Sequence, residues 1–311
     1  MTSANAGKVA AALVLDALFG EPPAAAHPTV WMGRVTAAFE RRALELQNPR
    51  ARRLAGVALA LSLPALVFFS TRAVVGLVPR WARWSLEVAL ISTSISMRGL
   101  SEAAGAVQRE LHSGNLKRAR TRVGDLVGRD TADLSAPEVA RAAVESVAEN
   151  TSDGVVAPML YGLLFGAPGA LAYRAINTLD SMVGYRRNLY EELGWASARL
   201  DDLANLAPSR VTALVAAVVS GRPGTTWRTA LRCGPLTESP NAGWAEAAFA
   251  GALGVRLGGR NSYGGVVRVG SILGSGRRPE PDDIRRSVRL MRRCCGTIAV
   301  APFLVGTTRH A

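Results

Sequence analysis

Four short runs of carboxylate, amide and hydroxyl residues carry the groups most able to do chemistry. They are Glu149-Asn-Thr-Ser-Asp-Gly154, Asn177-Thr-Leu-Asp-Ser-Met-Val-Gly-Tyr-Arg186, Ala198-Arg-Leu-Asp-Asp-Leu-Ala-Asn205 and Ser239-Pro-Asn-Ala-Gly-Trp-Ala-Glu246. Each lies beside an apolar run or a glycine-rich stretch. In helical register Asn177, Asp180 and Ser181 share a face, as do Asp201, Asp202 and Asn205 on neighbouring turns. Oxygen donors three and four apart suit a hard cation such as Mg²⁺, which keeps several waters and takes few protein ligands. Polar groups at a membrane edge are costly unless paired or solvated, which makes such clusters candidates for function. The competing reading is that they cap helices and bridge them. A further polar segment, Asp16-Ala-Leu-Phe-Gly-Glu-Pro-Pro23 with His27-Pro-Thr-Val-Trp-Met-Gly-Arg34, follows the first apolar run. There His27 is either a hydrogen-bonding loop residue or a base.

The elements that must position these groups are apolar runs. Ala55–Thr71 holds no charge, and with Leu54 and the stretch through Val78 it is long enough to cross roughly 30 Å of hydrocarbon. Val155–Tyr173 is also free of charge but is broken by Gly166-Ala-Pro-Gly169. That break predicts two half-spans, Val155–Phe165 and Ala170–Ile176, turning back where protein shelters the backbone. Leu203–Ser209 with Val211–Gly221 and the shorter Cys294–Thr308 add further hydrophobic segments. Trp84–Met97 and Val9–Gly20 carry internal acids, and Val9–Gly20 lacks the cleavage pattern of a signal peptide. Ser135-Ala-Pro-Glu138 is a capping-box start for a helix that ends near Asn150 and stops at Gly154, with Glu145 and Glu149 on one face. Strand signals are weak except for a short hairpin within Tyr263–Ile272. The expected fold class is all-α: a polytopic helical membrane protein with about four to five hydrophobic segments, some re-entrant, and helical cytoplasmic loops. Residues 1–311 are read as one integral-membrane domain.

Composition narrows the function classes. The 311 residues are 49% hydrophobic and 20% charged, which excludes intrinsic disorder. Cys233, Cys294 and Cys295 form neither a disulfide framework nor a zinc spacing, and His27, His112 and His310 are scattered. The net charge of +13 is compatible with nucleic acid or with anionic lipid. With aromatic residues at only 6% and long apolar runs, the lipid bilayer is the expected partner and nucleic acid is not. All the basic residues but Lys8 and Lys117 are arginine. Basic stretches at Arg34–Arg53, Lys117–Arg122 and Arg277–Arg293 flank hydrophobic segments, which assigns them to the cytoplasmic side. Gly270-Ser-Ile-Leu-Gly-Ser-Gly276 lacks the Gly-Lys ending of a Walker A loop, and Gly254, Gly258 and Gly259 do not follow a strand in dinucleotide-binding order. The glycine-rich turns with Arg256, Arg260 and Arg268 offer backbone N–H groups and guanidiniums to phosphate.

In order along the chain, LDALFGEPP with HPTVWMGR, ENTSDGVVAP, NTLDSMVGY, ARLDDLANLAPSR and SPNAGWAEAAFAGALGVRLGG followed by Asn261-Ser-Tyr263 resemble the CobD/CbiB family of cobalamin biosynthesis, the adenosylcobinamide-phosphate synthases. The likeness runs from Asp16 to about Arg293. Glu21 stands where the family often has Asp, and Ala245 where it often has Pro. The resemblance implies a cell-membrane, multi-pass ligase with its active site on the cytoplasmic face. Such an enzyme joins the free propionate of adenosylcobyric acid to (R)-1-amino-2-propanol O-2-phosphate, or to aminopropanol, using ATP and Mg²⁺ with the corrinoid as substrate. On that footing Glu149, Asp153, Asp180 and Asp201 are candidate catalytic groups, and Asp153, Asp180, Asp201 and Asp202 candidate metal ligands. Asn150, Asn177, Arg186, Arg199, Asn241 and His27 are candidate substrate or phosphate contacts. Assembly as a homo-oligomer or with other corrin-pathway enzymes is compatible with the resemblance. Two other classes stand beside it. A membrane phospho-alcohol transferase would need an Asp-x-x-Asp-Gly-x-x-Ala-Arg run, of which Ala198-Arg-Leu-Asp-Asp is a fragment. A small-molecule transporter would be expected to show repeated halves.

Overall fold

The structure, a computed structural model, describes residues 3–184 and 190–307. The candidate contact Arg186 and His310 lie outside the described residues. Helix accounts for 77% of the chain, and the described strands form one two-stranded hairpin, as an all-α class requires. Two helical stretches are long and apolar enough to cross a membrane: Pro49–Leu77 and the run Ala136–Val183. A third is reached if the consecutive helices Trp195–Ala204 and Leu206–Val219 act as one bent span. These features are those of a helical membrane protein. The other hydrophobic segments are not full spans, for a physical reason. Ser3–Phe19 has 17 residues, Arg80–Ser92 has 13, and the charge-free Cys294–Thr308 stretch continues the arginine-rich helix Pro281–Thr307 instead of standing alone.

The chain divides into two compact units, each assembled from separated segments. One comprises Met1–Ser96, Ala157–Asn205 and Ala299–Ala311, the other Met97–Val156 and Leu206–Ile298. In the first, Pro49–Leu77 packs on Ala157–Val183 through Leu59, Leu63, Leu171, Ala175 and Leu179, with Met32 of the helix Pro28–Leu44 joining the cluster. Its other face leaves Leu54, Leu61, Leu66 and Phe69 more than 60% exposed, an apolar surface suited to lipid. Gly56 lets this helix approach Tyr190–Leu193 closely, since a Cβ there would sit 2.0 Å from the Leu193 carbonyl oxygen.

In the second unit Ala136–Asn150 and Ala242–Leu253 are buried almost all round, and small side chains allow close approach. The capping box is present, with the Ser135 amide donating to Glu138 over 2.8 Å. The expected stop at Gly154 is absent. Residues Thr151–Val156 continue as a π-helical turn into Ala157–Val183, and Thr151 Oγ1 donates back to the Val147 carbonyl over 2.6 Å. Glycine without a C-capping turn beyond it does not end a helix whose neighbours are buried. Gly166 does break the helix, at φ 69° and ψ −158°, where the half-span junction was expected. The hairpin pairs Leu257–Tyr263 with Val266–Leu273, six residues longer at its start than the sequence signal.

Candidate functional site

The second unit holds a buried polar centre built on the Ala136–Asn150 helix. Arg141 and Glu145, one turn apart, are 8% and 6% exposed. Arg141 Nη1 donates to Glu145 Oε1 over 3.0 Å and to the Gly258 carbonyl over 2.7 Å. Its Nη2 donates to the Arg260 carbonyl and to Asn261 Oδ1, each over 2.9 Å. Arg129 donates to both Glu145 and Asn261, closing the ring. The Gly258 amide completes it by donating to Glu145 Oε1 over 2.6 Å. Only glycine fits there: φ is +75°, and a Cβ would lie 2.0 Å from the Ser271 carbonyl oxygen. The strand register slips between Gly258 and Arg260, and this bulge turns the Gly258 N–H and C=O toward the helix. Asp130 fixes the far end of the hairpin, accepting from Ser262 Oγ and the Gly264 and Gly265 amides over 2.7, 3.0 and 2.8 Å.

Two cavities meet at Gly258. One, of about 280 Å³, is lined by Arg129, Glu145, Glu149, Glu246, Asn261 and Tyr263 among others. The other, of about 340 Å³, is lined by Arg141, Arg256, Arg260 and Arg278, with Glu138 at its wall. Burial pushes the Glu246 carboxyl well above the usual carboxylate range, and the charges of Glu145 and Glu149 add to the rise. The first cavity therefore favours a cation or a proton, and the second an anion. Asn241 lies elsewhere in this unit. It is buried and accepts from Arg210 Nη1 over 2.7 Å and Ser209 Oγ over 3.3 Å, while Arg210 also lies over the Trp244 ring.

In the first unit Asp201 is held by amides: Asn177 Nδ2 donates to Oδ1 over 3.5 Å and Asn205 Nδ2 to Oδ2 over 3.0 Å. Tyr173 donates to Asn205 Oδ1 over 2.8 Å and stacks on Tyr161. Asp202 faces Arg199 at 3.7 Å, a pair open to solvent and so weak. His27 caps the helix Pro28–Leu44 by accepting from the Thr29 amide at Nδ1 over 3.2 Å, which leaves Nε2 to face Glu21 Oε2 at 3.3 Å. This hydrogen bond lowers the Glu21 carboxyl below its ordinary value despite burial, with Ser96 and Arg174 helping. Arg174 Nη2 donates to Ser96 Oγ over 2.9 Å.

The sequence-derived candidates thus fall in both units. Glu149 lines the acidic cavity, whereas Asn150 donates back to the Ser146 carbonyl of its own helix over 2.9 Å and Asp153 sits in the π turn. Asn177 meets Asp201, Arg199 meets Asp202, and Asp180 closes over Gly184, whose amide donates to its carbonyl over 2.8 Å. Among the described residues no three His, Cys, Asp or Glu side chains form a metal-ligand set. A Mg²⁺ here fits only as an ion shared with phosphate oxygens and water, its usual mode. Sequence reasoning did not single out Arg129, Arg141 or Glu246. The Arg141/Glu145 spacing resembles an ordinary surface pair, and its partners lie more than a hundred residues downstream in the hairpin. Glu246 does end one of the polar clusters, which was the available signal.

The family model described as "CobD/Cbib protein" matches residues 9–291. The chain is 41% identical over 302 residues to the cobalamin biosynthesis protein CobD of Klebsiella pneumoniae subsp. pneumoniae, covering 94% of each. It is 44% identical over 297 residues to the protein of that name from Geobacter metallireducens, covering 94% of this chain and 93% of the relative. With the cobalamin biosynthesis protein CbiB of Salmonella typhimurium it shares 40% over 290 residues, covering 90% and 91%. No solved structure matches. The ordered motifs, the matched length and these identities make the chain a member of the CobD/CbiB family of cobalamin-biosynthesis proteins.

Proposed function

We propose that the protein joins the free propionate carboxyl of adenosylcobyric acid to the amine of (R)-1-amino-2-propanol O-2-phosphate, or of aminopropanol, with ATP as the activating co-substrate. The observation that carries this reading is the pair of oppositely charged cavities meeting at Gly258. An amino-alcohol phosphate bears an ammonium at one end and a phosphate at the other. Glu149 and Glu246 would receive the first, and Arg256, Arg260 and Arg278 the second.

A carboxylate is a poor acylating agent. Its oxygen attacks the γ-phosphorus of ATP and ADP leaves, giving an acyl phosphate. The ammonium first gives a proton to the Glu246 carboxylate, whose raised proton affinity suits it to accept, and this frees the nitrogen lone pair. The amine then attacks the acyl carbon, and phosphate departs with the C–O bonding pair and takes up the second nitrogen proton. Arg141 and Arg129 fix the position of the Glu145 carboxyl beside Glu246, so this wall of the cavity needs no reorganisation. Mg²⁺ would neutralise phosphate charge when bound. Asp201 and Asp202 are the oxygen donors proposed to hold it, with phosphate oxygens and water completing its shell, and Asp180 or Asp153 stands as an alternative donor rather than as part of a joint set. On this reading the site opens to the cytoplasm, where ATP is, in a chain that crosses the membrane more than once.

Purified protein given adenosylcobyric acid, aminopropanol phosphate, ATP and Mg²⁺ should yield the amide, detected by mass spectrometry. Failure where the Klebsiella relative succeeds under the same conditions would overturn the assignment.

A further inference from the structure

Arg286, Arg289 and Arg293 line a separate cavity of about 210 Å³ in the second unit, with Leu253 and Leu290 as apolar walls and Ser220 at the edge. Spacings of three and four put the three guanidiniums on one helix face. Arg286 is partly neutralised: it donates to Asp283 Oδ1 over 2.8 Å, and Asp283 also takes two hydrogen bonds from Arg277. Arg289 and Arg293 are exposed, and among the described residues neither has a carboxylate within 4 Å. Two guanidiniums without a carboxylate partner match a phosphate-bearing ligand, while Leu253 and Leu290, both buried, only floor the cavity.

The helix supplies the direction. Arg293 is its last charge before the apolar stretch from Cys294, in which Val300, Phe303 and Leu304 are 51%, 46% and 65% exposed. From Cys294 to Thr307 the rise is roughly 21 Å at about 1.5 Å per residue, too short to cross a bilayer but enough to enter one. Basic residues just outside such a stretch lie at headgroup depth. We infer that the Arg286–Arg289–Arg293 cavity is a binding site for the phosphate headgroup of an anionic phospholipid.

The test uses the full chain in detergent micelles doped with phosphatidylglycerol or phosphatidylcholine, with bound lipid counted by native mass spectrometry. Phosphatidylglycerol should be retained in clear preference, and R289Q/R293Q should weaken it about 30-fold, at roughly fivefold per arginine near a charged headgroup. R285Q/R292Q removes the same two charges from elsewhere on the helix and should change retention by no more than about twofold. Equal loss in both double variants would reduce the effect to general surface charge and overturn the site. Displacement of the lipid by millimolar inorganic phosphate or ATP would assign the cavity to a soluble anion instead. The lipid comparison on the unaltered protein needs no variant, and equal retention of both lipids would by itself refute the proposal.

Discussion

Glu145 and Glu246 line the same cavity but differ in their company. Glu145 is tied to two arginines and a backbone amide, whereas burial and neighbouring acids favour a proton on Glu246. Folded Glu246 thus holds its proton to higher pH than the unfolded chain, which releases it near its ordinary value of 4.5. Where the native state binds more protons, stability falls as pH rises. The Glu246 contribution is complete below pH 4.5 and is lost upward through the folded value. Glu246→Gln should therefore melt above the parent at pH 7–8 and converge with it near pH 4, followed by thermal unfolding in detergent. Its turnover should fall about 100-fold or more if Glu246 accepts the ammonium proton. Arg141→Ala leaves Glu145 buried with one partner fewer and should cost about 3–5 kcal/mol, read as a lowered denaturation midpoint. Of this centre Glu145, Glu149, the Arg256 and Arg260 guanidiniums and the Asn261 motif were legible in the sequence, but not the ring that joins them. The ring closes through a strand bulge, and no local spacing encodes which helix a bulge will face.

Among the elements, the signals that rest on local chemistry were readable: the Ser135 capping box, the presence of a short hairpin near Tyr263–Ile272 and the break at Gly166. What could not be read was the π turn, because Gly154 signals a stop only if the helix beyond it lacks tertiary partners. Gly166 holds a backbone conformation almost confined to glycine, and a Cβ would also crowd Glu87 Oε2 at 3.2 Å. Gly166→Ala should lower stability by roughly 1–3 kcal/mol, seen as a reduced melting temperature. An unchanged midpoint would mean that the helix can straighten there without loss.

For the molecule as a whole, hydrophobic runs identified the class, and two to three of the helices are long and apolar enough to cross a membrane. Run length does not reveal whether an apolar helix faces lipid or protein. The 18-residue window of Pro49–Leu77 is 33% buried and that of Ala136–Val183 is 67% buried, so the first is the better lipid-facing anchor. The protein should remain in the membrane pellet after high-salt and alkaline washes. Release by salt would show that its +13 charge, not this helix, holds it there. The central claim is that ATP activates a carboxyl group for attack by an amine, and an isotope reports on it directly. Adenosylcobyric acid labelled with ¹⁸O in its free carboxyl is converted with ATP and the amine, and the phosphate products are read by mass spectrometry. One ¹⁸O should appear in inorganic phosphate for each amide formed, with ADP as the nucleotide product. Label in AMP, or in neither phosphate product, would contradict the acyl-phosphate account.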